Sequence, residues 1–182
     1  MILLGLLGTV PARAAQGPIR AVRTPEAPKI DGRVDDPVWK AAPVFTDFLE
    51  SFPTLGARPS LRTEVRVLFD NRTLFVSVVC HDPNPELIQR QLQRRDNPLV
   101  GDFIEIGIDS THDRRAGYYF AVNAAGVLRD GLFYGDVNLA DTWDGVWDAA
   151  VALLPDGWSV EMAIPLDLLR FPRAPIQEWG FL

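Results

Sequence analysis

Residues 147–165 read WDAAVALLPDGWSVEMAIP. Apolar side chains recur at every second position on both sides of Pro155-Asp156-Gly157, the period of a half-buried strand and not of a helix. A two-residue Asp156-Gly157 turn would set Leu153 against Val160, Val151 against Met162 and Ala149 against Ile164. A slip of one residue would put those groups against Asp148 and Glu161, so the buried face is strongly specified. Trp147 shares the parity of Ala149 and Val151, and Trp158 that of Val160 and Met162. Both tryptophans are expected in a core.

The arms upstream repeat this pattern. TEVRVLF (63–69) and TLFVSVVCHD (73–82) flank the turn residues Asp70, Asn71 and Arg72, a hairpin signal. Leu74 to Cys80 is apolar on both faces, which predicts a central strand. In FIEIGID (103–109), Ile104, Ile106 and Ile108 share one face, and Phe103, Glu105 and Asp109 the other. YYFAVN (118–123) turns through Ala124-Ala125-Gly126 into VLRDGLFYG (127–135). Residues 83–100 are polar and proline-bounded, a long loop with room for a helical turn or two. Near the start, KIDGRVDDPVWKAAPVF (29–45) offers Asp35 or Asp36 as cap of a short helix with Pro37 in its first turn and Pro43 as its stop. Trp39 would plug one end of the core. Seven or eight hairpin-linked strands predict an all-β fold, an antiparallel β-sandwich of jelly-roll-like form with one short N-terminal helical turn. A small closed barrel is the alternative.

A chain of 182 residues suits a single domain. Its net charge of -6, with Lys29 and Lys40 as its only lysines, argues against a nucleic-acid partner. Residues 1–14 read as an exported protein's signal peptide, incomplete for want of a basic start and ending in Ala12-Arg13-Ala14. Residues 15–26 follow as a linker or extended arm, and 27–182 as the sandwich, whose ending IQEWGFL reads as a strand cut short. Cys80 is the one cysteine, so no internal disulfide supports the fold.

Catalytic patterns are weak. His81 and His112 have neither a GxSxG elbow nor an HExxH helix beside them, and Cys80 lies in an apolar strand. Glu105, Asp109 and Glu161 are carboxylates of the kind any β protein offers. Asp136, Asn138, Asp141, Asp144 and Asp148 form an oxygen-rich segment, but their spacing fails the EF-hand rule and suits a solvated acidic loop better. Saccharide sites pair a flat ring with planar hydrogen-bonding groups. Trp143, in a polar setting beside Asp144 and ahead of Gly145, is the tryptophan expected to be exposed for stacking. A groove lined by Glu105, Tyr119, Asn123 and Arg129, with Trp143 at its rim, would bind a sugar; an ordinary solvent-facing sheet is the competing reading.

Taken in order, KIDGRVDDPVWKAA, VRVLFDNRTLFVSVVCHD, GDFIEIGID, YYFAVNAAG and DGWSVEMAIPLDLL resemble the family 9 carbohydrate-binding modules over about Ala27 to Leu182. The resemblance implies a β-sandwich, a carbohydrate ligand and structural calcium, with no calcium ligands assigned to residues here. Sugar-binding members clamp the ligand between two tryptophans; Trp143 supplies one half, and Trp147 as the other conflicts with its inward parity. The resemblance further implies a branch at the N-terminus of larger exported bacterial proteins, ahead of a C-terminal outer-membrane barrel. The function implied is non-catalytic polysaccharide or oligosaccharide binding that assists carbohydrate catabolism by an attached glycoside hydrolase or outer-membrane partner. The alternative is a structural periplasmic domain without sugar binding. The expected location is periplasmic, outer-membrane-associated or extracellular in a Gram-negative bacterium.

Overall fold

Alternating apolar residues bury one face of a strand and need a second layer to cover it. In the computed structural model, which describes residues 18–135, 138–140 and 142–182, that layer is a second sheet. The strands are β1 (Val22–Arg23), β2 (Thr63–Phe69), β3 (Thr73–His81), β4 (Phe103–Asp109), β5 (Ala116–Asn123), β6 (Leu128–Tyr134), β7 (Asn138–Ala140), β8 (Asp148–Leu154), β9 (Gly157–Pro165) and β10 (Gly180–Phe181). The first sheet runs β1-β2-β3-β9-β8 and the second β10-β4-β5-β6-β7. Among the described strands only the β1–β2 pair is parallel. Each sheet keeps free edges, so the sandwich reading holds and the closed barrel does not. As its two-sided apolar run predicts, β3 is the central strand of its sheet.

The core lies between the sheets. Val65, Val67, Val76, Val78, Val160, Met162 and Ile164 from the first meet Ile106, Ile108, Phe120 and Val122 from the second. Trp147 and Trp158 are buried in the same cluster, as their parity requires. The β8–β9 hairpin differs from expectation in register. Val151 pairs with Val160, Ala149 with Met162 and Leu153 with Trp158, because the turn is Pro155-Asp156 and Gly157 already belongs to β9. Gly157 takes φ +145° against the Cys80 carbonyl, where a Cβ would collide. The offset is two residues, so every side chain keeps its face.

The outward face of the first sheet is covered too. Residues 22–42 wrap across it, and Trp39 (2% exposed) packs with Ala42, Leu68 and Phe75 into a second, smaller core. Trp39 therefore sits on the sheet's outside and does not plug the end of the main core. Its helix is a 3-10 segment, Pro37–Ala41, preceded by Asp36, whose Oδ2 accepts the Lys29 N–H at 2.8 Å instead of capping the helix. Residues 1–14, read as a signal, lie outside the described residues; in the arm that follows, Val22 and Arg23 pair with Leu68 and Phe69.

Glu161 explains how this wrap is held. Its parity on β9 points it outward, yet it is 0% exposed beneath residues 31–39. Its Oε1 accepts the Trp39 indole N–H at 2.7 Å, and its Oε2 accepts the N–H groups of Gly32 at 2.9 Å and Asp31 at 3.0 Å. Ser159 adds a hydrogen bond to the Gly32 carbonyl at 2.6 Å. Gly32 is required there: φ is +84°, and a Cβ would lie 2.4 Å from the Val151 carbonyl carbon. Gly32→Ala is expected to cost more than about 2 kcal/mol, read as a lowered urea midpoint, since strain and a backbone clash add.

Burial pushes the Glu161 carboxyl above the ordinary carboxylate value, against the pull of its three N–H donors. Below the ordinary value both folded and unfolded chains carry the proton, and the group's contribution to stability is present in full. As pH rises through the raised folded value, the unfolded chain ionises first and that contribution is lost. Urea midpoints measured from pH 4 to 8 should therefore decline with pH in the wild type, by a slope that Glu161→Gln lacks.

Candidate functional site

A buried carboxylate and a half-exposed arginine fix the loop between β7 and β8. Asp130 points inward from β6 and is 1% exposed. An unpaired carboxylate there would be costly, and each oxygen is used. Oδ1 accepts the Gly145 N–H at 2.9 Å. Oδ2 accepts the Trp147 indole N–H at 2.8 Å and Arg95 Nη2 at 2.7 Å. Arg95 reaches in from the long 82–102 loop and also donates to the Gly145 carbonyl at 2.8 Å and to Asp144 Oδ1 at 3.1 Å. Burial works against the Arg95 charge, but the Asp130 hydrogen bond and the nearby carboxylates outweigh it and raise its pKa.

On this support the Trp143 indole folds back over Gly145. It meets Tyr118 edge-to-face at 5.2 Å and Phe120 at 5.9 Å, while Trp147 packs on the same Phe120 at 5.2 Å. Trp143 is half-buried and borders a hollow of about 400 Å³ shared with Tyr118, Leu132, Asp167, Leu168 and Arg170. The 3-10 turn Leu166–Leu168 brings in the last three. It is anchored by buried Leu169 and by the Leu166 N–H donating to the Arg72 carbonyl at 2.7 Å. The Tyr118 hydroxyl accepts the Arg170 N–H at 3.2 Å, and Ser110 Oγ donates to the Arg170 carbonyl at 2.7 Å. Two aromatic residues, Trp143 and Tyr118, and two residues with charged side chains, Asp167 and Arg170, thus border a hollow within the usual size of a small-molecule site. A second hollow, of about 350 Å³, lies between Phe48, Arg58 and Arg62; there Phe48 is engaged edge-to-face with Phe45 at 5.2 Å.

The five residues expected to share one groove divide between two faces. Glu105 and Arg129 both neighbour Ala121 across β4, β5 and β6, and Tyr119 and Asn123 share their outward parity. Trp143, however, packs against Tyr118 and Phe120, which face the opposite way, so it is not the rim of that groove. Nor is the outward face open. Tyr119 is 1% exposed and Asn123 0%. Asn123 Nδ2 donates to the Gln91 carbonyl at 2.8 Å, and its Oδ1 accepts the N–H groups of Ala125 and Val127, so Asn123 organises a turn beneath the long loop. Arg129 lies over the Tyr119 ring at 5.4 Å. Glu105 is exposed, and Asp144, with 74% of its side chain exposed, answers Arg95. Tyr118, Asp167, Leu168 and Arg170 were not anticipated. The signal available was parity: Tyr118 alternates with Tyr119 and falls on the Phe120 face.

Other chemistry is absorbed by structure. Burial pushes the Cys80 thiol up to about 12, which leaves it un-ionised near neutrality. His81 lies between Asp156 at 3.3 Å and Glu64 at 3.4 Å, on the side of the first sheet away from the Trp143 hollow. Asp109 loses by burial but gains more from the Arg114 N–H at 2.7 Å and Thr111 Oγ1 at 3.1 Å, which hold its carboxyl below the usual value. Among the described residues no three His, Cys, Asp or Glu side chains gather to hold a metal. In the oxygen-rich segment, Asn138 opens β7, Asp144 answers Arg95 and Asp148 opens β8; Asp136 and Asp141 lie outside the described residues.

Comparison with known proteins accords with this architecture. The family model for the carbohydrate family 9 binding domain-like proteins matches residues 30–181. Among solved structures, the chain is similar to a family 9 carbohydrate binding module from Caldicellulosiruptor kristjanssonii in complex with cellotriose. The identity is 23% and the TM-score 0.59, over 88% of this chain and 72% of that one. A family 9 module from the same organism in complex with glucose is similar at 21% identity and a TM-score of 0.61, over 89% of this chain and 76% of that one. At these identities the likeness speaks to the fold. No curated protein matches the chain.

Proposed function

The chain belongs to the carbohydrate family 9 binding domain-like family, and from that premise we propose that it is a non-catalytic carbohydrate-binding module whose ligand seats against Trp143. The observation that carries the choice of site is the hollow where the Trp143 and Tyr118 rings stand beside Asp167 and Arg170. A pyranose presents C–H faces to a ring and hydroxyls at its edge, so a carboxylate accepts and a guanidinium donates where the ring leaves off. Glucose and cellotriose, the sugars held by the similar family 9 modules, set the class of ligand to try first: β-linked glucans and their fragments.

The wider role belongs to the same proposal. The apolar N-terminal run supports export, and a binding module without catalytic groups of its own suits attachment to a glycoside hydrolase or to an outer-membrane partner. Among the described residues no helix is long and apolar enough to cross a membrane, which leaves β-barrels untouched.

Asp167→Ala and Arg170→Ala test the polar side of the hollow. Each is expected to weaken cello-oligosaccharide binding about tenfold, the value of one hydrogen bond to a charged group. Calorimetric titration reads the change. Full affinity in both variants would place the ligand elsewhere.

A further inference from the structure

We propose that Arg95 and Asp130 are positioning residues for the Trp143 platform, acting through the backbone of Gly145. This rests on the reading of the Trp143 hollow as the saccharide site. The pair grips both polar groups of one residue: Asp130 Oδ1 accepts the Gly145 N–H at 2.9 Å, and Arg95 Nη2 donates to the Gly145 carbonyl at 2.8 Å. They are joined to each other at 2.7 Å. Gly145 in turn is the seat of the indole, since a Cβ there would stand 2.7 Å from Trp143 Cη2 and 3.3 Å from Leu168 Cδ1. The absence of a side chain lets the ring rest on the backbone itself.

The tilt of Trp143 is set by what lies beneath and beside it. Beneath it is a peptide fixed by two charged groups; beside it are Tyr118 and Phe120. The same Asp130 oxygen that holds Arg95 also holds the Trp147 indole, so the clamp is tied to the core through one carboxylate. Arg95 comes from the 82–102 loop, with 41% of its side chain exposed, and so links that loop to the platform. Arginine suits the role because one planar group can donate in several fixed directions at once.

The test uses the protein labelled with 5-fluorotryptophan. Its five tryptophans give separate fluorine NMR signals, and that of Trp143 is identified by its loss in Trp143→Phe. In Arg95→Met, which keeps the apolar stem and removes the donors, the Trp143 resonance is expected to move by more than its line width. The Trp39 resonance, on the far side of the first sheet, should stay in place and so reports a folded chain. Cellotriose affinity should fall at least tenfold with it. A Trp143 resonance that coincides with the wild type overturns the clamp. A moved Trp143 resonance, in a protein whose Trp143→Ala variant still binds cellotriose fully, leaves the clamp standing and removes the saccharide reading instead. If Arg95→Met fails to fold, Arg95→Lys serves, since it keeps a charge beside Asp130 but cannot reach Asp130 and the Gly145 carbonyl together; an unmoved Trp143 signal there overturns the proposal.

Discussion

Glu161→Gln is expected to lower stability by about 3 kcal/mol near pH 5, more than its near-identical shape suggests. For a domain of this size that is a drop in Tm of roughly 9 °C. The cause is a mismatch of donors. Both carboxylate oxygens accept, one from the Trp39 indole and the other from two backbone N–H groups. A glutamine must turn its NH₂ toward one side or the other, and each side already presents a donor. A protonated glutamic acid suffers less, because its hydroxyl oxygen, though a weaker acceptor than a carboxylate oxygen, keeps a lone pair that an amide NH₂ lacks. Loss of stability on amidation is thus compatible with a carboxyl whose affinity for protons is raised.

A double substitution makes the expectation specific. Trp39→Phe alone removes the indole donor and should cost about 1.5 kcal/mol through the lost hydrogen bond and smaller ring. In that background the introduced amide has an open side to face, so Glu161→Gln should then cost only about 1 kcal/mol. Additive effects in urea unfolding would show that the indole and the carboxylate do not depend on each other. The Trp39–Glu161 contact joins the residues 31–39 wrap to the outside of β9, whereas the Trp147–Asp130 contact lies between the two sheets.

These two carboxylates also mark where the sequence stopped being informative. Alternation located the strands and the inward faces, because burial on one side of a sheet imposes a period of two whatever the partner is. It placed Trp147 and Trp158 correctly for the same reason. It also survived the error in the β8–β9 turn, because an offset of two residues leaves each face intact. What alternation cannot report is a layer added outside a sheet. Glu161 reads as solvent-facing, and only the wrap from about 130 residues earlier buries it. Asp130 likewise reads as one of an outward and inward pair with Arg129, with no hint that Arg95, Gly145 and Trp147 converge on it.

The site was legible to the same depth. Trp143 stood out for its polar neighbours, Thr142 and Asp144, and it does border a hollow. Its partners were misplaced because a glycine follows two residues later. Gly145 lets the chain fold back, so the ring lands on the Tyr118 and Phe120 side and not beside Glu105 and Arg129. Parity ends where a strand ends, and loop residues such as Asp167 and Arg170 carry none.

On the proposed reading of Trp143 as the saccharide platform, its removal carries the largest expected effect on binding. A buried-edge aromatic that forms one wall of a small site is worth about 2 kcal/mol or more when truncated, roughly a thirtyfold loss of affinity. The fold should persist, because the core residues Trp147, Phe120 and Trp158 are untouched and Trp143 only edges that cluster. The decisive measurement is a calorimetric titration of the wild type and Trp143→Ala with glucose, cello-oligosaccharides and xylo-oligosaccharides, with and without calcium, after both proteins are shown to melt cooperatively. The wild type should bind at least one of these sugars saturably, and Trp143→Ala should lose affinity for it by about thirtyfold or more. Equal affinity in the two proteins, or no binding by a folded wild type, would contradict a platform at Trp143.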